Sequence, residues 1–156
     1  MSEAGLPGLE IYSHADDGGL PLDRLVEAAK AALPWCLGSR GGEEPVLAEL
    51  PEVEVSLVDD AVIAGVHGEF MDDPTPTDVI TFHHGEILVS LDTARREGPT
   101  HGNSAAEETL LYIIHGLLHL NGHTDLREPD RTAMHREQET ILDRVRSILT
   151  EPLPEN

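Results

Sequence analysis

The feature that most constrains the fold of this chain is an apolar run, Leu110 to Leu120, that contains two histidines. Ser104 and Glu107 form the S-x-x-E pattern of a capping box, so we predict that a helix begins there and continues through the apolar run. His115 and His119 then lie on one face of that helix, one turn apart, because four residues separate them. Two imidazoles in this arrangement can bind a single metal ion.

The residues that follow the helix offer a third ligand for the same ion. Gly122 can end the helix and turn the chain back, which brings either His123 or Asp125 within reach of the ion. Two imidazoles and one carboxylate form a known catalytic zinc site, in which a further position stays open for water. The residues alone leave the choice between these two ligands open.

The residue after the first histidine argues against peptide hydrolysis. Metalloproteases with an H-E-x-x-H motif use the glutamate at that position as a general base, and this chain has Gly116 there. The pattern therefore indicates metal-dependent chemistry other than proteolysis.

Helices and strands are interleaved along the rest of the chain, but not in a strict βαβ order. Apolar periodicity, capping residues and turn residues predict strands at about 9–12, 53–57, 79–82 and 86–90 and helices at about 21–37, 61–70, 91–97, 104–121 and 129–149. We therefore predict an α+β fold. It is a single domain with a small mixed β-sheet of about four strands packed with about five helices, and its metal site lies on a central helix and the turn after it.

Length and composition limit where such a domain acts. We expect one metal-dependent hydrolase-like domain at residues 9–149, with flexible ends at residues 1–8 and 150–156. The single cysteine, Cys36, excludes an internal disulfide, and the first eight residues lack the basic and apolar segments of a signal peptide. The longest apolar run is too short to cross a membrane. We therefore expect a cytoplasmic protein with no membrane partner.

Three motifs in register resemble the YbeY family, the bacterial rRNA maturation factors and metal-dependent endoribonucleases. The stretch His115–Asp125, H-G-L-L-H-L-N-G-H-T-D, is similar to the family signature H-G-x-L-H-L-x-G-Y-D-H. Upstream, Thr77–Phe82 (T-D-V-I-T-F) resembles T-D-V-L-S-F, and Gly85–Ser90 (G-E-I-L-V-S) resembles G-D-I-x-I-S. The order and spacing agree from about residue 53 to residue 149.

The resemblance implies one metal ion, with zinc as the default for this ligand set, held by His115, His119 and Asp125. Asp125 stands where the family has its third histidine, and a carboxylate oxygen can replace imidazole at zinc. His123 falls where the family has tyrosine, and it is the alternative third ligand.

The same resemblance implies a single-strand-specific endoribonuclease of rRNA maturation and ribosome quality control, with His115 and His119 as catalytic residues. The expected partners are rRNA or other single-stranded RNA, together with ribosomal small-subunit proteins or an assembly GTPase. The alternative is a metal-stabilised ribosome-assembly or binding factor with weak or no nuclease activity. Two absences support this alternative: Gly116 stands in place of a general-base glutamate, and His67 and Met71 stand where the family has an asparagine and a phosphate-binding arginine.

The charge of the chain bears on how it meets RNA. Thirty acidic and ten basic residues give a formal net charge of −20, so diffuse attraction to RNA is excluded as a source of affinity. Few aromatic residues are present for stacking on bases. We therefore expect either a local basic cleft or delivery by a ribosome-associated protein, with four arginines as candidate cations: Arg24, Arg40, Arg95 and Arg96.

Overall fold

The structure, a computed structural model, describes residues 6–72, 75 and 77–151 of the chain. Four strands form one sheet: β1 (Gly8–Ser13), β2 (Glu52–Val58), β3 (Val79–Phe82) and β4 (Glu86–Ser90). Five α-helices are present in the described residues: α1 (Leu22–Leu37), α2 (Asp60–Met71), α3 (Leu91–Glu97), α4 (Ala105–Leu120) and α5 (Asp130–Val145). Short 3₁₀ helices lie at Leu47–Glu49, Pro99–His101 and Arg146–Thr150. The predicted α+β fold is confirmed.

The sheet is mixed, with the strand order β1-β2-β4-β3. β1 and β4 both pair with β2 in parallel, whereas β3 pairs with β4 in antiparallel orientation, so that Phe82 faces Glu86. The predicted hairpin between β3 and β4 is therefore present. β1 and β3 form opposite edges of the sheet, and this separation places the residues of β3 far from those of β1.

The two faces of the sheet pack against different helices, because successive residues of a strand point to opposite sides. In β4, Ile87 and Val89 belong to the main core, which also contains the buried residues of α1, α4 and α5. Leu88, between them, belongs to a smaller cluster on the other face, where Ile63 of α2 covers the sheet. α4, which carries His115 and His119, and α2 therefore lie on opposite faces of the sheet.

α4 is the central helix, and its start is set by the predicted capping box. The Ser104 hydroxyl accepts a hydrogen bond from the Glu107 backbone N–H at 3.1 Å, and the Glu107 carboxylate accepts one from the Ser104 N–H at 2.8 Å. Gly116 contacts the sheet so closely that an added Cβ would lie 2.8 Å from Cδ1 of Ile87 and 3.1 Å from Oγ1 of Thr81. Packing against the sheet therefore leaves no room for a glutamate after the first histidine.

Differences from the sequence-based expectation are confined to the ends of elements. The last helix was expected to reach residue 149, but α5 ends at Val145 and the chain continues as a 3₁₀ helix, Arg146–Thr150. Pro34 lies inside α1, which continues to Leu37. Of the ends expected to be flexible, residues 1–5 and 152–156 lie outside the described residues, whereas Gly8 begins β1 and Thr150 ends the last 3₁₀ helix. Among the described helices, none combines the length and apolar character that crossing a membrane requires.

A hydrogen-bond network around the partly buried Asp60 joins the start of α2 to the junction of β4 and α3. The Asp60 carboxylate accepts hydrogen bonds from Ser90 Oγ at 2.7 Å, Thr93 Oγ1 at 3.1 Å and Arg96 Nη1 at 2.7 Å. Its own backbone N–H donates to the Asp92 carboxylate at 2.9 Å. Burial opposes ionisation of Asp60, but the three donors outweigh it and lower the pKa of this carboxyl group.

The substitution Asp60→Asn is expected to lower the free energy of unfolding by about 1–3 kcal/mol at pH 7, because it weakens hydrogen bonds to a charged acceptor. The folded-state pKa of Asp60 lies below the unfolded value, so its contribution is complete above about pH 4 and disappears as the pH falls further. Urea denaturation at pH 7 and at pH 3 measures both effects. Asp23→Asn, at an exposed aspartate of α1, is the control. Equal losses in the two variants, or a difference at pH 3 as large as that at pH 7, would contradict this assignment.

Candidate metal centre

Three side chains predicted as ligands converge at the C-terminal half of α4. The Nε2 atoms of His115 and His119 are 3.1 Å apart. Asp125 places Oδ2 3.2 Å from His115 Nε2 and Oδ1 3.7 Å from His119 Nε2. Potential ligand atoms of the three residues all lie within 4.8 Å of one another.

The outer hydrogen bonds of both imidazoles fix which ring nitrogen faces the cluster. Nδ1 of His115 donates to the side-chain oxygen of Gln138 at 2.7 Å, and Nδ1 of His119 donates to the backbone carbonyl of His123 at 3.0 Å. Because Nδ1 carries the proton in each neutral ring, Nε2 presents a lone pair toward Asp125. A histidine anchored in this way is typical of metal ligands in proteins.

The separations of the ligand atoms fit a small divalent cation. Tetrahedral coordination with bonds of about 2.0–2.2 Å places neighbouring ligand atoms about 3.3–3.6 Å apart. The two imidazole nitrogens are 3.1 Å apart, and the nearest carboxylate oxygens of Asp125 lie 3.2 Å from His115 (Oδ2) and 3.7 Å from His119 (Oδ1), so a small adjustment of the carboxylate brings one oxygen to both. Two neutral imidazole nitrogens and one carboxylate are also the ligand types that zinc accepts.

The electrostatics of the cluster favour an ionised carboxylate between two imidazoles. In the imidazolium form of His115, which carries a proton on both ring nitrogens, the hydrogen bond from Nε2 lowers the pKa of Asp125 to about 2. Burial opposes protonation of His115, but its bonds with Asp125 and Gln138 outweigh burial and raise the pKa of His115. Burial, followed by the adjacent His115, lowers the pKa of His119. One negative charge therefore faces both rings at neutral pH.

The turn after α4 is positioned by the loop that follows α1. Gly122 has a φ of +97°, and a Cβ at this position would lie 2.4 Å from the carbonyl oxygen of Glu43. The backbone N–H of Glu43 in turn donates to the Gly122 carbonyl at 2.9 Å. The Asn121 side-chain amide donates to the carbonyls of Cys36 and Ser39, each at 3.0 Å. These contacts fix the path of the chain toward Asp125.

His123, the alternative third ligand, points away from the cluster. Its Nε2 lies 3.0 Å from both the hydroxyl and the carbonyl oxygen of Ser39, and only 9% of the residue is exposed. Its backbone carbonyl instead supports His119. The geometry therefore brings Asp125, and not the His123 ring, to the two histidines of α4.

Sequence reasoning missed Gln138, the residue that anchors His115. Gln138 is buried on α5, where Met134 precedes it by four residues and Ile141 and Leu142 follow on the same face. A glutamine inside such an apolar stripe is the signal that was available. The sequence does not reveal the partner of this glutamine, because His115 lies 23 residues earlier on another helix.

A cleft of two adjoining cavities, about 590 and 320 Å³, contains the centre. Both cavities are lined by Thr77, Asp78, His115 and Asp125, so the ligands lie where the cavities meet. Thr77 and Asp78 belong to the T-D-V-I-T-F motif, and the side chain of Asp78 accepts a hydrogen bond from the Val79 backbone N–H at 2.8 Å. This motif therefore both turns the chain into β3 and lines the cleft.

The expected basic cleft is not found in the described residues. The larger cavity is lined by five carboxylates, those of Asp78, Glu97, Glu108, Asp125 and Glu139. Of the four candidate arginines, Arg96 is the one that lines it, and it is paired with Asp60 at 2.7 Å. Among the five, Glu108 is fully buried and accepts hydrogen bonds from His101 at 2.7 Å and Asn103 at 2.9 Å. The cleft therefore offers little positive charge to attract the phosphate groups of RNA.

Comparison with known proteins agrees with the three motifs. Residues 19–146 match the family described as Endoribonuclease YbeY. The chain is 30% identical to the endoribonuclease YbeY of Bacillus licheniformis over 148 residues, which cover 83% of this chain and 90% of that relative. It is 33% identical to the endoribonuclease YbeY of a Synechococcus species over 113 residues, or 63% of this chain and 71% of that relative. The solution structure of TM1509 from Thermotoga maritima is similar in fold, with a TM-score of 0.58 and 24% identity, and the match covers 95% of this chain and 99% of that chain.

The substitution Gly122→Ala is expected to weaken zinc binding and to destabilise the fold by at least about 1–2 kcal/mol, the ordinary cost of a side chain in the left-handed region. The added methyl group also collides with the Glu43 carbonyl, so the turn must move and carry Asp125 with it. Chelator competition measures zinc affinity, and thermal denaturation measures stability. Gly102→Ala is the matched control, because Gly102 has a φ of +76° with no atom within 4 Å of an added Cβ. Equal zinc affinities in the two variants would show that the turn does not position the ligand.

The substitution Gln138→Leu is expected to weaken zinc binding about 10–100-fold, which is the usual effect of removing an outer partner of a ligating histidine. Leucine fills the same buried space but cannot accept the hydrogen bond from His115 Nδ1. Gln138→Glu keeps an acceptor and should retain most of the affinity. Unchanged affinity in the leucine variant, measured by the same chelator competition, would contradict the anchoring role.

Proposed function

This chain belongs to the YbeY family of endoribonucleases, and we propose that it is a zinc-dependent enzyme that cuts single-stranded RNA in rRNA maturation and ribosome quality control. The observation that carries the proposal is the convergence of His115, His119 and Asp125 in the cleft, with the Nε2 atoms of the two imidazoles 3.1 Å apart beside the carboxylate. We assign these three residues as the zinc ligands and the two histidines as the catalytic pair.

The residues around the centre support this role. A divalent ion in such a site supplies Lewis acidity, which polarises a phosphate oxygen and lowers the pKa of water. Gln138 and the His123 carbonyl hold the two rings in one tautomer and orientation. The chain therefore presents a preorganised ligand set that needs little rearrangement on binding an ion.

The shape of the cleft supports a single-stranded substrate. Because the ligands lie at the junction of the two cavities, a strand that crosses them has room on both sides. Unpaired nucleotides can direct their bases into such cavities, whereas bases of a duplex are stacked and paired. This arrangement favours loops, ends and unfolded segments of rRNA.

The charge of the chain supports a protein partner in addition to RNA. A net charge of −20 repels the phosphate backbone at long range but favours association with positively charged proteins. We propose that ribosomal small-subunit proteins or an assembly GTPase bring the enzyme to its RNA. The cytoplasm is the proposed location, in keeping with an rRNA substrate and with Cys36 as a buried free thiol.

A second candidate function is a metal-stabilised ribosome-assembly factor with little turnover. The observation that favours it is Met71, which lines the smaller cavity where the resemblance leads one to expect an arginine. A methionine cannot neutralise charge that develops on a phosphate in the transition state.

Purified protein should contain about one zinc ion per chain and cleave single-stranded RNA, and His115→Ala should lose more than about 100-fold in cleavage rate, since a ligand matters more than its outer partners. Metal analysis and a gel-based cleavage assay measure both properties. His14→Ala is the control, because His14 is exposed and follows β1 at the opposite edge of the sheet.

Cleavage by His115→Ala at the wild-type rate would show that the observed activity does not depend on the candidate metal centre, and it would contradict the proposed function. Zinc-loaded wild type that binds RNA and ribosomal subunits but does not cleave would favour the assembly factor.

A further inference from the structure

Both phenylalanines of the chain lie together on the surface next to the metal centre. The rings of Phe70 and Phe82 meet edge to face, with centroids 5.4 Å apart and an interplanar angle of 75°. The ring of His84 stacks on Phe82 at 5.6 Å and 15°. We refer to Phe70, Phe82 and His84 as the aromatic platform.

The aromatic platform contacts the protein on one side and is open to solvent on the other. Phe82 is partly buried against the small core under α2, and the His84 ring is hydrogen-bonded to Glu86 at 3.1 Å. By contrast, Phe70 is 62% exposed and the His84 side chain is 69% exposed. Two ring surfaces are therefore fixed in orientation without being covered by the protein.

The platform borders the smaller cavity. His67 and Met71 of α2, the helix that carries Phe70, line this cavity. Ile80 also lines it, and Ile80 belongs with Phe82 to the cluster on the same face of β3. A strand that leaves the candidate metal centre past these residues therefore runs toward the platform.

The low positive charge of the cleft indicates which kind of ligand the aromatic platform binds. Adjacent exposed aromatic rings beside a cleft indicate an interaction site, because soluble proteins expose contiguous apolar patches far less often than scattered apolar residues. The cleft supplies few cations for phosphate groups, so an RNA strand needs another source of affinity. Stacking provides it, since every base has a π face and stacking requires no positive charge.

We propose that the aromatic platform stacks unpaired bases of the RNA strand as it leaves the smaller cavity. This inference rests on the proposed function, and it names the part of the substrate that the site binds. Stacking of this kind depends little on base identity. It accounts for how an acidic protein with one arginine in its cleft selects single-stranded RNA over a duplex.

The test measures binding of zinc-loaded full-length protein to a cleavage-resistant 2′-O-methyl phosphorothioate RNA of about ten unpaired nucleotides, a length typical of single-strand sites. Phe70→Ala should weaken binding about tenfold or more, in line with the loss of one stacked base. Phe70→Trp should retain affinity, and His84→Ala should weaken it. Tyr12→Ala is the matched control, because Tyr12 is 44% exposed and pairs with His14 on the opposite edge strand.

A second arm separates stacking from other effects of the substitution. The same RNA with abasic nucleotides should bind the wild type more weakly than the intact RNA does, and this difference should be smaller for Phe70→Ala, in which one stacking surface is lost. Because Phe70 is exposed, its alanine variant should melt within a few degrees of the wild type, and thermal denaturation checks this.

The outcomes distinguish the two proposals. Wild type that cleaves RNA, beside a Phe70→Ala variant that binds as tightly as wild type, overturns the platform alone. If Phe70→Ala loses binding to ribosomal subunits but keeps its affinity for RNA, the platform binds a protein partner, and its assignment to RNA bases is overturned. An equal loss of affinity for intact and abasic RNA in Phe70→Ala also overturns the platform. Wild type that binds no single-stranded RNA overturns the platform and the proposed function together.

Discussion

The burial of α4 is the constraint on which the rest of the structure depends. Its apolar residues pack against α1, α5 and the sheet, and Gly116 allows the sheet to approach the helix backbone. On the remaining face, Glu108, Tyr112, His115 and His119 follow one another at helical spacing toward the cleft. Polar groups inside such a helix need partners. Hydrogen bonds and a carboxylate from other segments meet this need, and in doing so they assemble the candidate metal centre.

Charge and aromatic surface are distributed unequally around the cleft, and this distribution bears on how the protein binds RNA. Carboxylates predominate in the larger cavity, where most described cations are absent or already paired, as Arg96 is with Asp60. The aromatic rings lie on α2 and the β3–β4 hairpin, the two elements that border the smaller cavity. An ion at the centre and stacking surfaces beside the smaller cavity would let the protein bind RNA with little help from long-range attraction.

Elements governed by local rules were predicted well from the sequence. The capping box placed the start of α4, alternation in residues 53–57 placed β2, and His83–Gly85 placed the hairpin turn. Errors occurred where long-range packing decides, as at the end of α5, where the chain tightens into a 3₁₀ helix. The expected basic cleft was also wrong, because composition gives the number of arginines but not their partners. Gln138 was missed for the same reason, since its partner His115 lies on another helix.

The sequence by itself determined the pair His115 and His119 and the turn at Gly122, because helical spacing and backbone freedom are properties of neighbouring residues. It left the choice between His123 and Asp125 to the family resemblance. Only the tertiary structure shows why Asp125 reaches the pair: the turn docks on the loop after α1, where Ser39 engages the His123 ring and the chain continues to Asp125. Tertiary structure also brought Phe70 to Phe82, because α2 must pack across the sheet before these two rings can meet.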